Sequence, residues 1–235
     1  MTLNAWTDGL PALQGDLTTL REVDVSDVYP LFTLFSDPAV TAYMAPPPPT
    51  PAKFAGFVEW SHQQRELGQG LCFGIVPVGM TAAAGILQVR SLDSTLSSAE
   101  WGFVLSAHFW STGVFFDAAN ALVDFAFTAM HINHLEARVA TRNRRAHAAL
   151  RRLGARSEFT IESSSQTGIP RDPEVVWTLR EHDWRNRPDS RASTDDTRER
   201  IRKAVEAAQS ELRGIQAPET VEPYPLFLFD RRRRG

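Results

Sequence analysis

The chain has 235 residues, 43% of them hydrophobic and 23% charged, and a net charge of −3. That balance fits a globular domain with a sizeable core and gives no global reason to bind nucleic acid. A lone cysteine, Cys72, excludes an intramolecular disulfide and makes a reducing cytosol the simplest home. No apolar run nears the ~20 residues that cross a bilayer, and MTLNAWTDGL lacks the basic-then-apolar order of a secretion signal.

In chain order, Leu17 to Glu22 reads as a first strand and Asp24 to Phe35 as a helix. The prolines of Ala45 to Pro51 force an extended break. Ala52 to Leu67 carries Phe54, Phe57, Val58 and Leu67 at helical spacing and closes on Gly68 and Gly70. Trp60 belongs to the core in this reading. Three strands follow at Leu71–Val78, Ala82–Val89 and Ser98–Leu105, the first two turning through Gly79-Met80-Thr81. The strongest helix runs from Phe115 to Met130, with Ala118, Ala119, Leu122, Phe125 and Ala126 on its apolar stripe. Asp117, Asn120, Asp124 and Thr128 mark its wetter face. His134 to Thr141 alternates as a strand, and Asn143 to Leu153 reads as a helix ended by Gly154. Strands at Ala155–Ile161 and Val175–Leu179 flank the loop Ser163 to Pro173. A meander feeding a helix crossover implies a mixed α+β fold.

The turn Ser111-Thr112-Gly113 at the mouth of the Phe115 helix allows two readings. Ser111 or Thr112 caps the helix, contributing on the order of 1 kcal/mol. Alternatively, the unpaired N–H groups and the partial positive charge of the helix start hold a phosphate. Neither a P-loop nor a dinucleotide fingerprint is present.

Context bears on that choice. Ala99-Glu100-Trp101-Gly102, Trp110-Ser111-Thr112-Gly113, Phe125-Ala126-Phe127, Leu135-Glu136-Ala137, Asn143 and Leu153-Gly154-Ala155 occur in one order over about residues 15 to 185. That series resembles the GNAT superfamily of acyl-CoA-dependent N-acetyltransferases, in the branch of the ribosomal-protein N-terminal enzymes. The resemblance implies a central, mixed but mostly antiparallel twisted sheet of six to seven strands, flanked by helices and opened by a V-shaped splay. The implied domains are an extension (1–14), the acetyltransferase domain (15–185) and a charged tail (186–235) with a helix near 194–213. It further implies acetyl-CoA as co-substrate and a primary amine, a protein amino terminus or a small molecule, as acceptor. Direct attack in a ternary complex is implied. The lone cysteine and the lack of a signal or spanning segment point to the cytoplasm with no membrane partner, and the arginines lack the interleaved aromatics that favour a nucleic-acid partner. A homodimer is one open state.

The implied cofactor site places pantetheine along Phe103, Val104 and Leu105. The pyrophosphate sits on Trp110, Ser111, Thr112, Gly113 and Val114, and Asn143 reaches the arm. A main-chain N–H near Val104 or Leu105 would polarise the thioester. Glu100 is the candidate catalytic base, sharing a strand face with Gly102 and Val104; the competing reading is that it merely satisfies backbone groups or orients the acceptor. No metal is expected, since the six histidines form no ligand pattern.

Several positions depart from the family pattern. Leu150 stands where many members carry a tyrosine, Ser111 replaces a glycine, and Ala146 replaces a serine. Phe115 is bulky beside the pyrophosphate, although its spacing assigns it to the core. His147 reads as a solvated helix residue. Arg138, Arg142, Arg144, Arg145, Arg151, Arg152 and Arg156 are either a solvated face or a grip for acidic groups. Tyr43-Met44 falls where relatives build the acceptor side. These departures also motivate a rival reading, a non-catalytic CoA-binding module that works through a partner. Residues 186–235 hold 11 basic and 9 acidic residues, against 14 and 19 before them. They read either as a disordered tail with one marginal helix or as a docking segment, and Ile201, Val205, Ala208 and Leu212 would share a helix face.

Overall fold

The computed structural model describes residues 6–92, 97–162, 172–187 and 195–212. Of the expected loop Ser163 to Pro173, residues 163–171 lie outside the described residues, as does the terminal run PYPLFLFDRRRRG. Eight strands form one sheet: β1 (Leu13–Gln14), β2 (Thr18–Glu22), β3 (Gly70–Pro77), β4 (Gly85–Ser91), β5 (Ser98–Leu105), β6 (His134–Ala140), β7 (Arg156–Ile161) and β8 (Glu174–Arg180). Their order is β1-β2-β3-β4-β5-β6-β8-β7. Every neighbouring pair is antiparallel except β5 and β6. The described helices are α1 (Val28–Ser36), α2 (Pro38–Thr41), α3 (Pro51–Glu66), α4 (Val114–Thr128), α5 (Arg144–Leu153), α6 (Glu181–Arg185) and α7 (Asp195–Glu211). The sheet exceeds the expected six to seven strands because β1 is a two-residue strand with no sequence period of its own.

Period-2 alternation gives the sheet two apolar faces. Leu20, Leu71, Phe73, Leu87, Trp101, Leu135 and Ala137 join α4 and α5 in the larger core. Val23, Cys72, Val76, Ile86 and Val104 meet α1 and α3 in the second. Thr50 caps α3 by accepting from the Lys53 N–H at 3.2 Å, and Pro51 sits at its first position, where no donor is lost. The chain before β2 and the helix after α6 both pack on the larger core. Trp6 lies 5.0 Å from Phe125, centroid to centroid, and Ile201, Ala204, Val205 and Ala208 are buried.

The crossover helix is tied down at its first turn by a residue expected on its wet face. Asp117 accepts from the Asp16 N–H at 2.9 Å, the Leu17 N–H at 3.0 Å and the Thr18 hydroxyl at 2.7 Å. A Cβ on Gly15 would stand 2.1 Å from its Oδ2, so only glycine lets the β1–β2 turn close on the carboxylate. Asp117→Ala is expected to lower the unfolding free energy by about 2 kcal/mol, as loss of charge-assisted bonds to backbone donors does. Urea unfolding should show an earlier midpoint at unchanged slope, and Asp117→Asn, which keeps one acceptor oxygen, should lose less.

Candidate active site

Strands β5 and β6 pair only at Ser98↔His134, Ala99↔Leu135 and Glu100↔Glu136. Beyond that point β5 stays paired to β4 through Leu105, and β6 stays paired to β8 through Ala140. A fork therefore opens between them. The Ser106 N–H donates to the Ala84 carbonyl, so even-numbered β5 residues point their main chain at β4 and odd-numbered ones at the fork. On β6, the Glu181 N–H donates to the Asn133 carbonyl, which turns the main chain of Arg138 and Ala140 toward β5. Of the expected cofactor residues, Phe103 and Leu105 thus present backbone to the fork. Val104 spends its backbone on β4 and offers a side chain to the cavities instead.

Two cavities share Phe103, Val104, Asn143 and Ala146 as a common wall. The smaller, about 80 Å³, adds Tyr43, Met44 and residues 137–140. The larger, about 510 Å³, adds Leu105, Trp110, Ser111, Gly113, Phe115, Phe116, Arg145, Arg152 and Arg200. Tyr43 and Met44 therefore do stand at the fork, on the segment between α2 and α3. Phe115 packs against the larger core at its edge rather than inside it. It is half-buried, 4.5 Å from the Phe103 ring, and forms cavity wall.

The helix α4 begins without a side-chain cap. Its cap position is Gly113 at φ 94°, a left-handed conformation that glycine adopts without strain. The Thr112 hydroxyl donates to the Phe109 carbonyl at 2.7 Å, and only a long 3.4 Å contact from the Val114 N–H reaches it. The capping reading thus survives only as that long Thr112 contact; Trp110, Ser111, Gly113, Phe115 and Phe116 line the larger cavity, whereas Thr112 and Val114 are buried behind it. Ser111 itself is left-handed, at φ 61°. The Trp110 indole donates to the Leu105 carbonyl at 2.9 Å, and the Arg145 guanidinium carbon lies 3.2 Å from the Trp110 ring centroid. Arg152 lies 4.2 Å over Phe116.

Asn143 caps α5, its Oδ1 accepting from the Ala146 N–H at 3.1 Å, and the residue lines both cavities. Leu150 is fully buried and offers no proton. His147 is not a solvated residue. The Trp177 indole donates to its Nδ1 at 2.9 Å, which places the proton on Nε2, 3.1 Å from the Ala140 carbonyl. Both ring nitrogens serve as struts between α5, β6 and β8.

Glu100 has no exposed surface and lines neither cavity. Arg90, directly across on β4, donates to its Oε2. Arg138 on β6 holds its Oε1 as an ion pair at 3.4 Å, outside hydrogen-bond geometry. Arg138 is therefore a half-buried partner of Glu100 rather than part of a solvated face. Sequence reasoning missed this triplet because cross-strand pairing, which no local spacing reveals, brings it together.

The GNAT acetyltransferase domain profile matches residues 18–156. The chain belongs to the GNAT acetyltransferase family. As a member it is an N-acetyltransferase that takes its acetyl group from acetyl-CoA. It is 28% identical over 135 residues to the uncharacterized N-acetyltransferase p20 of Bacillus licheniformis, spanning 57% of this chain and 76% of that protein. Its fold resembles that of the RimL ribosomal L7/L12 alpha-N-protein acetyltransferase in complex with coenzyme A, at TM-score 0.64 and 16% identity, over 72% of this chain and 98% of that one. The microcin C7 self-immunity acetyltransferase MccE, in complex with acetyl-CoA and AMP, aligns at TM-score 0.63 and 19% identity, over 70% and 93% of the respective chains.

Breaking the triplet from its acidic side would set two guanidiniums facing one another. Glu100→Gln is expected to cost about 2–3 kcal/mol, below the full buried-pair penalty because Arg90 and Arg138 are 18% and 20% exposed. Chemical denaturation of the variant beside the parent protein measures that loss.

Proposed function

We propose that the enzyme transfers acetyl to a primary amine by direct attack in a ternary complex, with the fork as its coenzyme site. The observation that carries this reading is the run of main-chain groups on diverging β5 and β6, leading straight to the uncapped start of α4. The fit is chemical as well as spatial. An extended arm bearing amides can pair with exposed strand backbone, and a diphosphate suits first-turn amides flanked by Arg145. Acetyl-CoA supplies an acyl group on a thioester, which a neutral amine attacks with release of the free thiol.

Phe103 and Leu105 carry the fork-facing N–H groups that polarise the thioester carbonyl. Trp110, Ser111, Thr112, Gly113 and Val114 form the diphosphate turn, and the Asn143 amide nitrogen donates to the arm. The amine enters past Tyr43 and Met44, which wall the smaller cavity. Resemblance to a ribosomal-protein α-amine acetyltransferase makes a protein amino terminus the first acceptor class to test. Glu100 acts as a positioning residue that holds Arg138 and the fork in register, while the amine's proton leaves through solvent. Its enclosure between two guanidiniums supports that role over direct proton abstraction. Leu150 and His147 supply no acid, so the departing thiolate is protonated by water.

The test couples thiol release to a chromogenic disulfide reagent, with acetyl-CoA and a panel of peptide amino termini and small amines. Burial pushes the Cys72 thiol up, so the protein's own cysteine adds little background. Thiol release above the hydrolysis blank is expected for at least one amine. Thermal stabilisation by CoA with no turnover on any amine would instead establish the binding-module reading, which the buried Leu150 favours. In Glu100→Gln, kcat/KM is expected to fall without a change in the shape of its pH profile. A flattened acid limb would make Glu100 the base after all.

A further inference from the structure

The helix α7 lies wholly beyond the stretch that the family profile matches, yet it reaches the diphosphate turn. Arg200 Nη1 donates to the Ser111 carbonyl at 3.1 Å, and Arg200 lines the larger cavity together with Arg145 and Arg152. Thr197, buried, closes over Gly113: a Cβ added there would stand 3.5 Å from its Cγ2. The helix is fixed along its length. Ile201, Ala204, Val205 and Ala208 are buried, Gln209 donates to the Gly79 carbonyl at 3.1 Å, and His108 meets Glu211 at 2.8 Å. Arg200 is thus a built feature of the cavity rim.

We propose that α7 is a clasp on the turn and that Arg200 is a coenzyme-binding residue supplied by the C-terminal extension. The proposal rests on the reading that the diphosphate sits on Ser111 to Val114. Its physical logic starts at Ser111, a left-handed residue where the family pattern has glycine. A side chain in that conformation is strained, and it persists only when its surroundings fix it. The Arg200 bond to the Ser111 carbonyl fixes it. A guanidinium has five N–H donors. One holds that carbonyl, one reaches the Thr197 hydroxyl at 3.4 Å, and Nε pairs with the exposed Asp196 at 3.2 Å. Surface pairs of that kind are weak, so the fork can exchange Asp196 for a diphosphate oxygen while keeping its grip on the turn.

Calorimetry with CoA on the full chain tests the clasp. Arg200→Ala is expected to raise Kd roughly tenfold at low ionic strength, with the difference shrinking as salt is added. 3′-Dephospho-CoA should lose the same factor, since it keeps the diphosphate. In turnover, the loss should fall on KM for acetyl-CoA rather than on kcat. In the unaltered protein, CoA should slow hydrogen exchange across residues 197–205, a readout that stands even if Arg200→Ala fails to fold. Equal CoA affinity in the folded variant, or no CoA-dependent protection of α7, overturns the clasp. A loss seen with CoA but not with 3′-dephospho-CoA overturns the diphosphate assignment of Arg200. If Arg145→Ala weakens CoA while Arg200→Ala does not, the site reading survives and the clasp alone falls. No CoA heat from the unaltered protein ends both.

Discussion

The site depends on one constraint: the sheet's single parallel pair holds for three residue pairs and then parts. A parallel neighbour requires a crossover, and here the crossover is α4, whose amino terminus necessarily starts where β5 ends. Divergence also leaves backbone groups on two strands without strand partners, which a folded protein must otherwise satisfy. The chain satisfies some of them itself. Trp110 takes the Leu105 carbonyl, while the Asn143 N–H and the His147 ring take that of Ala140. What remains nearer the vertex is an extended, polar, strand-like slot. Slot and helix start thus share one topological origin, and the proposed ligand, with an amide arm and a diphosphate, matches both.

The vertex itself is a charge problem. Glu100 and Glu136 face each other in the last pair of the parallel ladder, a juxtaposition that is unfavourable by itself. Arg90 and Arg138 bracket Glu100, and His134 lies 3.6 Å from Glu136. A buried ion pair adds little net stability over an apolar replacement. Its contribution here is register: three strands are held to one another at the residue where two of them begin to separate. A slip of one residue would put Glu100 on the α4 face, against Trp101's present neighbours, with no cation to meet it.

Much of this was legible in the sequence. The long periodic segments α4 and β5 stand where their apolar spacing put them, because that spacing is itself the packing interface; α3 stands there too through Phe54, Phe57 and Val58, but Leu67 is exposed. Elements too short to have a period, β1, α2 and α6, were not legible. Within the candidate site, local stretches were legible: Trp110, Ser111 and Gly113 before α4 and Asn143 before α5 line one cavity. It was opaque where partners come from afar. Asp117 looked solvated because its donors lie about a hundred residues upstream, and His147 did because Trp177 sits on β8. Phe115 keeps the spacing of a core residue and packs on Phe103 at the core's edge, but its other side lines the cavity, which no spacing reveals. The role of Arg200 was likewise invisible, since only folding brings it to Ser111.

The choice of arginine over lysine gains a physical sense at this site. A lysine is a flexible point charge, and immobilising it on an anion costs rotamer entropy. Arg145 is stacked on Trp110 and Arg152 on Phe116 before any anion is bound, with their planar forks held against aromatic faces. Arg200 is held by a backbone carbonyl. Each is oriented by a contact that does not use all its donors, so binding an anion requires little further ordering. Two of the three stand on α5, within the matched domain, and one on the helix beyond it. On the proposed assignment, the coenzyme site therefore extends past the boundary of the family domain. The turn carries a serine where the pattern has glycine, and the added helix supplies the contact that such a turn requires.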